Sequence, residues 1–250
     1  MKIAKFNGKG EIFYTIQGEG KSLGKPTVFI RSSLCNLHCI WCDTDYTWNW
    51  KNTPYPHVFD QTPGYEKYDK KEQIVELSTA QIIEEVEPYA CKNLVLTGGE
   101  PFLQQKAWVE LMAQLRKKDA GYWFEVETNG TLLPSSEFDA LIDQYNVSPK
   151  LENSNNSMKI REKPEVYAFF RQSPKAWFKF VIAQQADLEE VLALIKKYDL
   201  PSHKVYLMPE GTTPEQLKAK QLWLVEQCKQ YGFHYTDRLH IHIYGSKRGV

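Results

Sequence analysis

Apolar, β-rich runs alternate with helical patterns along most of the chain. The runs TVFIRSS (27–33), NLVLTGG (93–99), YWFEVETN (122–129), YNVSPK (145–150), WFKFVI (177–182), KVYLMP (204–209) and LHIHIYG (239–245) read as strands. Between them TAQIIEEVEPY (79–89), KAWVELMAQLRKKD (106–119), SEFDALIDQY (136–145), DLEEVLALIKKY (187–198) and PEQLKAKQLWLVEQCKQY (214–231) carry helical periodicity. The last has clear ends, with Thr213 as N-cap, Pro214 in the first turn and Gly232 as terminator, while Thr79 and Asp187 suit the same capping role. Buried-type strands separated by helices predict an α/β fold with a mostly parallel sheet, either doubly wound or a complete or partial barrel, in a single domain over 1–250. Residues 49–78, rich in Pro, Tyr, Asp and Lys, break the alternation and read as an irregular insertion.

The unusual residues gather at one place in this pattern. Arg31 and three cysteines follow the first of these strands, TGGEP follows the second, ETNG ends the third and SPK ends the fourth. In parallel α/β folds the carboxyl ends of the strands are where ligands bind.

Charge and composition narrow the classes. With 31 basic and 31 acidic residues the chain lacks the basic excess of a nucleic-acid binder, so direct tRNA or DNA contact is not expected. No uncharged apolar run approaches the roughly 20 residues of a membrane span, and the N-terminus lacks the apolar core of a secretory signal. A cytoplasmic enzyme without membrane contact is the expectation. Five cysteines, an odd number with three clustered, argue for metal or redox chemistry over a disulfide framework.

The cluster SSLCNLHCIWCDTDYTW (32–48) has the spacing C-x3-C-x2-C at Cys35, Cys39 and Cys42. A structural zinc site needs four N or S ligands. His38 adjoins Cys39 too closely to share a metal easily, and Cys91 and Cys228 read as buried small hydrophobes. An iron–sulfur cluster fits better: each of three irons takes one thiolate, and the fourth stays open to an exogenous ligand.

That spacing, with Trp41 before the last cysteine and a later GGE, resembles the radical S-adenosylmethionine (radical SAM) superfamily. TIQGEG (15–20), FIR (29–31), CDTDYTW (42–48), TGGEP (97–101), ETNG (127–130), SPK (148–150) and GSKRGV (245–250) narrow the resemblance to the 7-carboxy-7-deazaguanine synthase family. The resemblance implies a truncated, modified (β/α) partial barrel that pairs as a homodimer. It also implies a [4Fe-4S] cluster, S-adenosyl-L-methionine whose reductive cleavage yields a 5′-deoxyadenosyl radical, and Mg²⁺. The implied reaction is ring contraction of 6-carboxy-5,6,7,8-tetrahydropterin to 7-carboxy-7-deazaguanine plus ammonia, a step toward queuosine-type nucleosides, with flavodoxin or ferredoxin as electron donor.

Carried onto this sequence, the resemblance gives Cys35, Cys39 and Cys42 to the cluster and Thr44 to Mg²⁺, with Asp43 or Asp45 as a possible helper. Trp41, Cys42, Asp43, Gly99, Glu100, Glu127, Thr128, Ser148, Pro149 and Lys150 fall to S-adenosylmethionine, with Glu100 able to pair the methionine ammonium and Gly98 and Gly99 letting backbone approach the ligand. Ile16, Gln17, Gly18, Arg31, Thr97 and Val250 fall to the substrate, Gln17 as donor and acceptor and Arg31 as a bidentate carboxylate partner. Lys247 and Arg248 read as solvated charges, and His240 and His242 as one polar face of a strand. Two other classes remain open at this point. A glycyl-radical activating enzyme shares the cysteine and GGEP motifs but not QGEG or the terminal GSKRGV. A zinc- or cluster-stabilised binding module leaves the strand-end motifs without a role.

Overall fold

The computed structural model describes residues 1–250. The first sixteen residues, which carry no clear strand periodicity, form β1 (Lys2–Phe6), β2 (Lys9–Gly10) and β3 (Ile12–Ile16). Asn7 and Gly8, at φ 50° and 80°, make the tight turn between β1 and β2, where Asn-Gly supplies the left-handed conformations the hairpin needs. There follow β4 (Pro26–Ser32), α1 (Lys70–Gln73), β5 (Ile74–Glu76), α2 (Thr79–Val86), β6 (Asn93–Gly98), α3 (Gln105–Lys118), β7 (Trp123–Thr128), α4 (Ser136–Leu141) and β8 (Gln144–Val147). The chain ends through α5 (Met158–Arg161), α6 (Pro164–Gln172), β9 (Ala176–Ile182), α7 (Gln185–Tyr198), β10 (Val205–Pro209), α8 (Pro214–Tyr231), β11 (His234–Tyr235) and α9 (Leu239–Tyr244).

Strands β4, β6, β7, β8, β9, β10 and β11 pair in parallel, in chain order, across helical crossovers. On the other side of β4 the sheet continues antiparallel through β3 and β1. No pairing joins β11 back to the N-terminal strands, so the sheet remains an open partial barrel.

The pleat sorts the side chains. Val28, Ile30, Leu94, Leu96, Phe124, Val126, Tyr145, Val147, Phe178 and Phe180 face the helices and join one core with Trp108, Leu111, Phe138, Phe170 and Val191. Their alternate neighbours on the other face are Arg31, Thr97, Glu125, Glu127, Asn146 and Lys179. The sheet is therefore buried on both faces, apolar against helices and polar toward the inside of the barrel, and a one-residue slip would exchange the two.

Helix ends follow the capping rules with two shifts. Thr213 caps α8, Pro214 opens it and Gly232 closes it at φ 70°. The cap of α2 is Ser78, one residue before Thr79, in a reciprocal box with Gln81. For α7 the cap is Gln184, and Asp187 closes the box by accepting the Gln184 N–H at 3.0 Å. The expected strand over 239–245 is instead α9, although its apolar residues alternate. The sheet already ends at β11, and the helix buries Ile241 while Leu239 N–H donates to Gly18 C=O at 2.9 Å. His240 and His242 therefore do not share a strand face.

Candidate active site at the carboxyl ends of the strands

The cysteine loop begins where β4 ends. Leu34 takes φ 79°, a left-handed conformation that costs an L-residue about 1–2 kcal/mol, and turns the chain toward Cys35. It is held by Glu100 N–H donating to Leu34 C=O at 2.8 Å and Gly99 N–H donating to Ser32 C=O at 3.1 Å. A Cβ at Gly98 or Gly99 would stand under 3.0 Å from the backbone oxygens of Ser32 or Leu34. Those glycines thus admit the protein's own cysteine loop, and both also line the cavity beside it.

Cys35, Cys39 and Cys42 are all unpaired and line one cavity of about 300 Å³. Cys35 Sγ accepts the Leu37 N–H at 3.5 Å, Cys39 Sγ faces Asn156 Nδ2 at 3.3 Å and Cys42 Sγ lies 3.5 Å from Thr44 Oγ1. Burial pushes all three thiols up, Cys42 to about 12, so metal loading must displace protons. No three His, Cys, Asp or Glu side chains stand around one point suited to a single ion. A four-iron cluster instead takes one thiolate on each of three separate irons, and this donor set fits it better than zinc.

Around the thiols the same cavity gathers Thr44, Trp41, Asp43, Gly99, Glu127, Thr128, Ser148 and Lys150, and from the other side Ile16, Gln17, Gly18, Arg31, Thr97 and Val250. Lys150 Nζ donates to Ser148 Oγ at 2.9 Å and stands 5.7 Å over the Trp41 ring, a prepared cationic corner. Arg31 spends Nε on Glu11 at 3.0 Å, and neither of its Nη groups has a protein partner. Gly18 is required by close packing, since a Cβ there would stand under 3.0 Å from the His240 ring.

Four expectations change. Glu100 is fully buried behind the wall, accepting from Phe102 N–H at 3.1 Å, Thr128 Oγ1 at 2.9 Å and Asn129 N–H at 2.8 Å. It caps the turn opened by Pro101 and ties β6 to β7, so its carboxylate does not reach an ammonium in the cavity. Pro149 likewise lies outside the lining. Gln17 already donates to Glu125 at 2.7 Å and Glu127 at 3.2 Å and accepts the Glu19 N–H at 3.2 Å, which leaves one lone pair of its amide oxygen for a further contact. Asp45 is buried against Tyr65 at 2.8 Å and Asn49 at 3.2 Å, away from the cavity.

Lys179, Glu19 and Arg238, none of them among the expected site residues, join Glu127 and Asp43 in the floor of the site. Lys179 Nζ binds Glu19 at 2.6 Å and Glu127 at 2.8 Å, Glu19 binds Arg238 at 2.9 Å, and Arg238 pairs in turn with Asp43. Burial opposes ionisation of Glu19, but Lys179 and Arg238 outweigh it and hold the carboxyl well below the usual range. Burial prevails at Glu127, which also faces Glu19 and Glu125, and raises it. His240 adds an imidazole to this floor, lowered by burial.

The tail supplies the last wall. Arg248, expected to be solvated, donates from Nη2 to Glu11 at 2.6 Å and lays its guanidinium over Tyr46 at 3.4 Å and Phe6 at 4.7 Å. Glu11 is buried and shared with Arg31 and the Tyr46 hydroxyl at 3.1 Å. Burial raises Glu11, yet Arg31 and Arg248 bring it below the ordinary carboxylate value of 4.5. Its contribution is therefore complete above about pH 4.5 and lost as pH falls through the lower folded value. Replacing Arg248 by Met should cost about 1–2 kcal/mol of tail docking, roughly a tenfold rise in opening. The rate at which a carboxypeptidase trims the tail measures it, and an unchanged rate in the variant would refute the contact.

Comparison with known proteins agrees with this geometry. Residues 29–219 match the family model of the radical SAM superfamily. A 7-carboxy-7-deazaguanine synthase from Pyrobaculum aerophilum is 38% identical over 96% of this chain and 95% of its own. One from Rhodopirellula baltica is 34% identical over 96% and 87%. The crystal structure of QueE from Escherichia coli shares the fold, with a TM-score of 0.64 over 92% of each chain at 24% identity. The chain belongs to the 7-carboxy-7-deazaguanine synthase family of the radical SAM superfamily.

Proposed function

We propose that the cavity converts 6-carboxy-5,6,7,8-tetrahydropterin to 7-carboxy-7-deazaguanine with loss of ammonia, using a [4Fe-4S] cluster, S-adenosylmethionine and Mg²⁺. One observation carries the reading: the cysteine loop, the ends of β6, β7 and β8, the 16–18 turn and the C-terminal tail all open on one cavity. Bound there, the cluster supplies the electron that cleaves S-adenosylmethionine to a hydrogen-abstracting radical.

The residues around it bind, orient and exclude water. Cys35, Cys39 and Cys42 would hold the cluster. Trp41, Asp43, Gly99, Thr128, Ser148 and Lys150 would lie along S-adenosylmethionine, with the Lys150 ammonium suited to a carboxylate. Thr44 Oγ1 would give Mg²⁺ its protein oxygen, since magnesium keeps few protein ligands. The two free Nη groups of Arg31 would grip the substrate carboxylate, with Ile16, Gly18 and Thr97 framing the ring and the Gln17 oxygen accepting from it. Glu127, anchored by Lys179 and Asn146, offers a fixed carboxylate to hydroxyl groups. The tail through Val250 closes the water side.

The family resemblance supports a homodimer and a flavodoxin or ferredoxin as electron donor, and no helix is long and apolar enough to cross a membrane. Anaerobically reconstituted protein, given S-adenosylmethionine, Mg²⁺, a reductant and the carboxytetrahydropterin, should release ammonia and the deazaguanine in equal amounts. Protein that carries its four irons and yields neither product would end this reading.

A further inference from the structure

Residues 49–78, read from sequence as an irregular insertion, end in α1 and in β5, which pairs with β1 in the sheet; the stretch before them touches the cysteine loop at three points around two of its thiols. The Tyr55 ring stacks on His38 with centroids 3.4 Å apart and planes 6° apart. Val58 N–H donates to Ile40 C=O at 2.9 Å. His57, 3% exposed, places Nε2 3.0 Å from Cys42 C=O. A carbonyl only accepts, so Nε2 carries the proton, and Nδ1 accepts the Phe59 N–H at 3.3 Å. Both ring nitrogens are thus committed and the imidazole is fixed.

The insertion is itself held from behind. Asp45, two residues past the cavity-lining Asp43, accepts from the Tyr65 hydroxyl at 2.8 Å and Asn49 Nδ2 at 3.2 Å. Lys51 N–H donates to Tyr68 C=O at 2.9 Å, and Tyr68 N–H donates to Asn49 C=O at 3.2 Å. Trp48 packs edge-on to both His38 and His57.

We propose that residues 49–78 brace the cluster-binding loop and that His57 is a positioning residue for the cluster, acting through the Cys42 peptide. The proposal rests on the assignment of Cys35, Cys39 and Cys42 as cluster ligands. A hydrogen bond on the Cys42 carbonyl fixes the peptide plane from which that thiolate projects, as partners behind metal ligands generally fix ligand orientation. Without the donor, the carbonyl is left buried and unsatisfied beside the cluster, and the peptide is free to rotate.

The test uses the full chain, reconstituted anaerobically. His57→Ala should lose its cluster to a chelator about 10–100-fold faster than wild type and shift the electron paramagnetic resonance signal of the reduced cluster. His57→Gln, whose amide N–H still reaches a carbonyl, should restore most of both. Val58→Pro provides an independent variant. It deletes the N–H that Ile40 accepts at the first position of a short 3-10 turn preceded by extended His57, a place where proline fits the backbone. It too should release the cluster faster, while circular dichroism of the apo-protein stays that of wild type. Wild-type release rates and spectrum in His57→Ala, or His57→Gln as labile as His57→Ala, would overturn the proposal. Failure of the wild-type chain to take up four irons would instead end the cluster assignment.

Discussion

Replacing Lys179 by Met should lower the stability of the folded chain by about 3–5 kcal/mol at neutral pH, as expected when one partner of a buried ion pair is removed. The Lys179 side chain is 6% exposed on the inner face of β9 and is the one cation between the carboxylates of Glu19 and Glu127. Burial alone would lower its pKa, but Glu127 and Glu19 outweigh that and raise it, so the ammonium stays charged at any working pH. Methionine matches the stem in size and leaves two buried carboxylates, of which only Glu19 keeps a cation, Arg238.

The pH dependence has a sign that identifies the cause. In the variant the pKa of Glu127, already raised, climbs further above the ordinary carboxylate value of 4.5, and the folded state then binds more protons than the unfolded one above that pH. Stability of the variant should therefore rise as pH is lowered from about 7.5 toward about 5, and the deficit against wild type should shrink. Urea unfolding at the two pH values measures this. An equal deficit at both would mean that lost packing, and not stranded charge, is the origin.

Lys179 also shows why part of the site was invisible in sequence. In WFKFVI it reads as a polar interruption of a buried strand, and its partners lie 160 and 52 residues away. Arg238 and Glu19 are separated by 219 residues. Such pairs are set by how the sheet curls, which local pattern does not encode. That Cys35, Cys39, Cys42 and the glycines of GGEP meet at one cavity was legible for the opposite reason, since their spacing is local and close backbone approach admits few residue types. At Glu100 the sequence signal is Pro101, which suits the first position of a turn and makes the residue before it the cap, and the three donors to its carboxylate show that role. The Asn7-Gly8 pair likewise marks in the sequence the hairpin between β1 and β2. LHIHIY alternates by two residues yet forms α9, because alternation is only a tendency and the segment instead buries Ile241 and bonds Gly18 through the Leu239 N–H.

The glycines of TGGEP lead to the other large effect. Gly99→Ala should abolish stable iron loading and destabilise the apo-protein by about 3 kcal/mol, the upper end of ordinary overpacking. The added Cβ would sit under 3.0 Å from the Leu34 carbonyl oxygen, a backbone atom with no rotamer to yield. Leu34 cannot retreat cheaply either, because it already holds φ 79° and its carbonyl accepts the Glu100 N–H at 2.8 Å. The strain must pass to the next residue, Cys35, whose Cβ is also within reach of the new methyl at 3.0 Å. Gly24→Ala is the control: at φ 83° but with nothing within 4 Å, it should cost only the conformational term of about 1–2 kcal/mol and leave iron binding intact. Iron per chain after anaerobic reconstitution, read beside the thermal midpoint of each apo-protein, separates the two substitutions. Gly99→Ala with a full complement of iron would show that the contact between the end of β6 and the cysteine loop does not position the first thiolate.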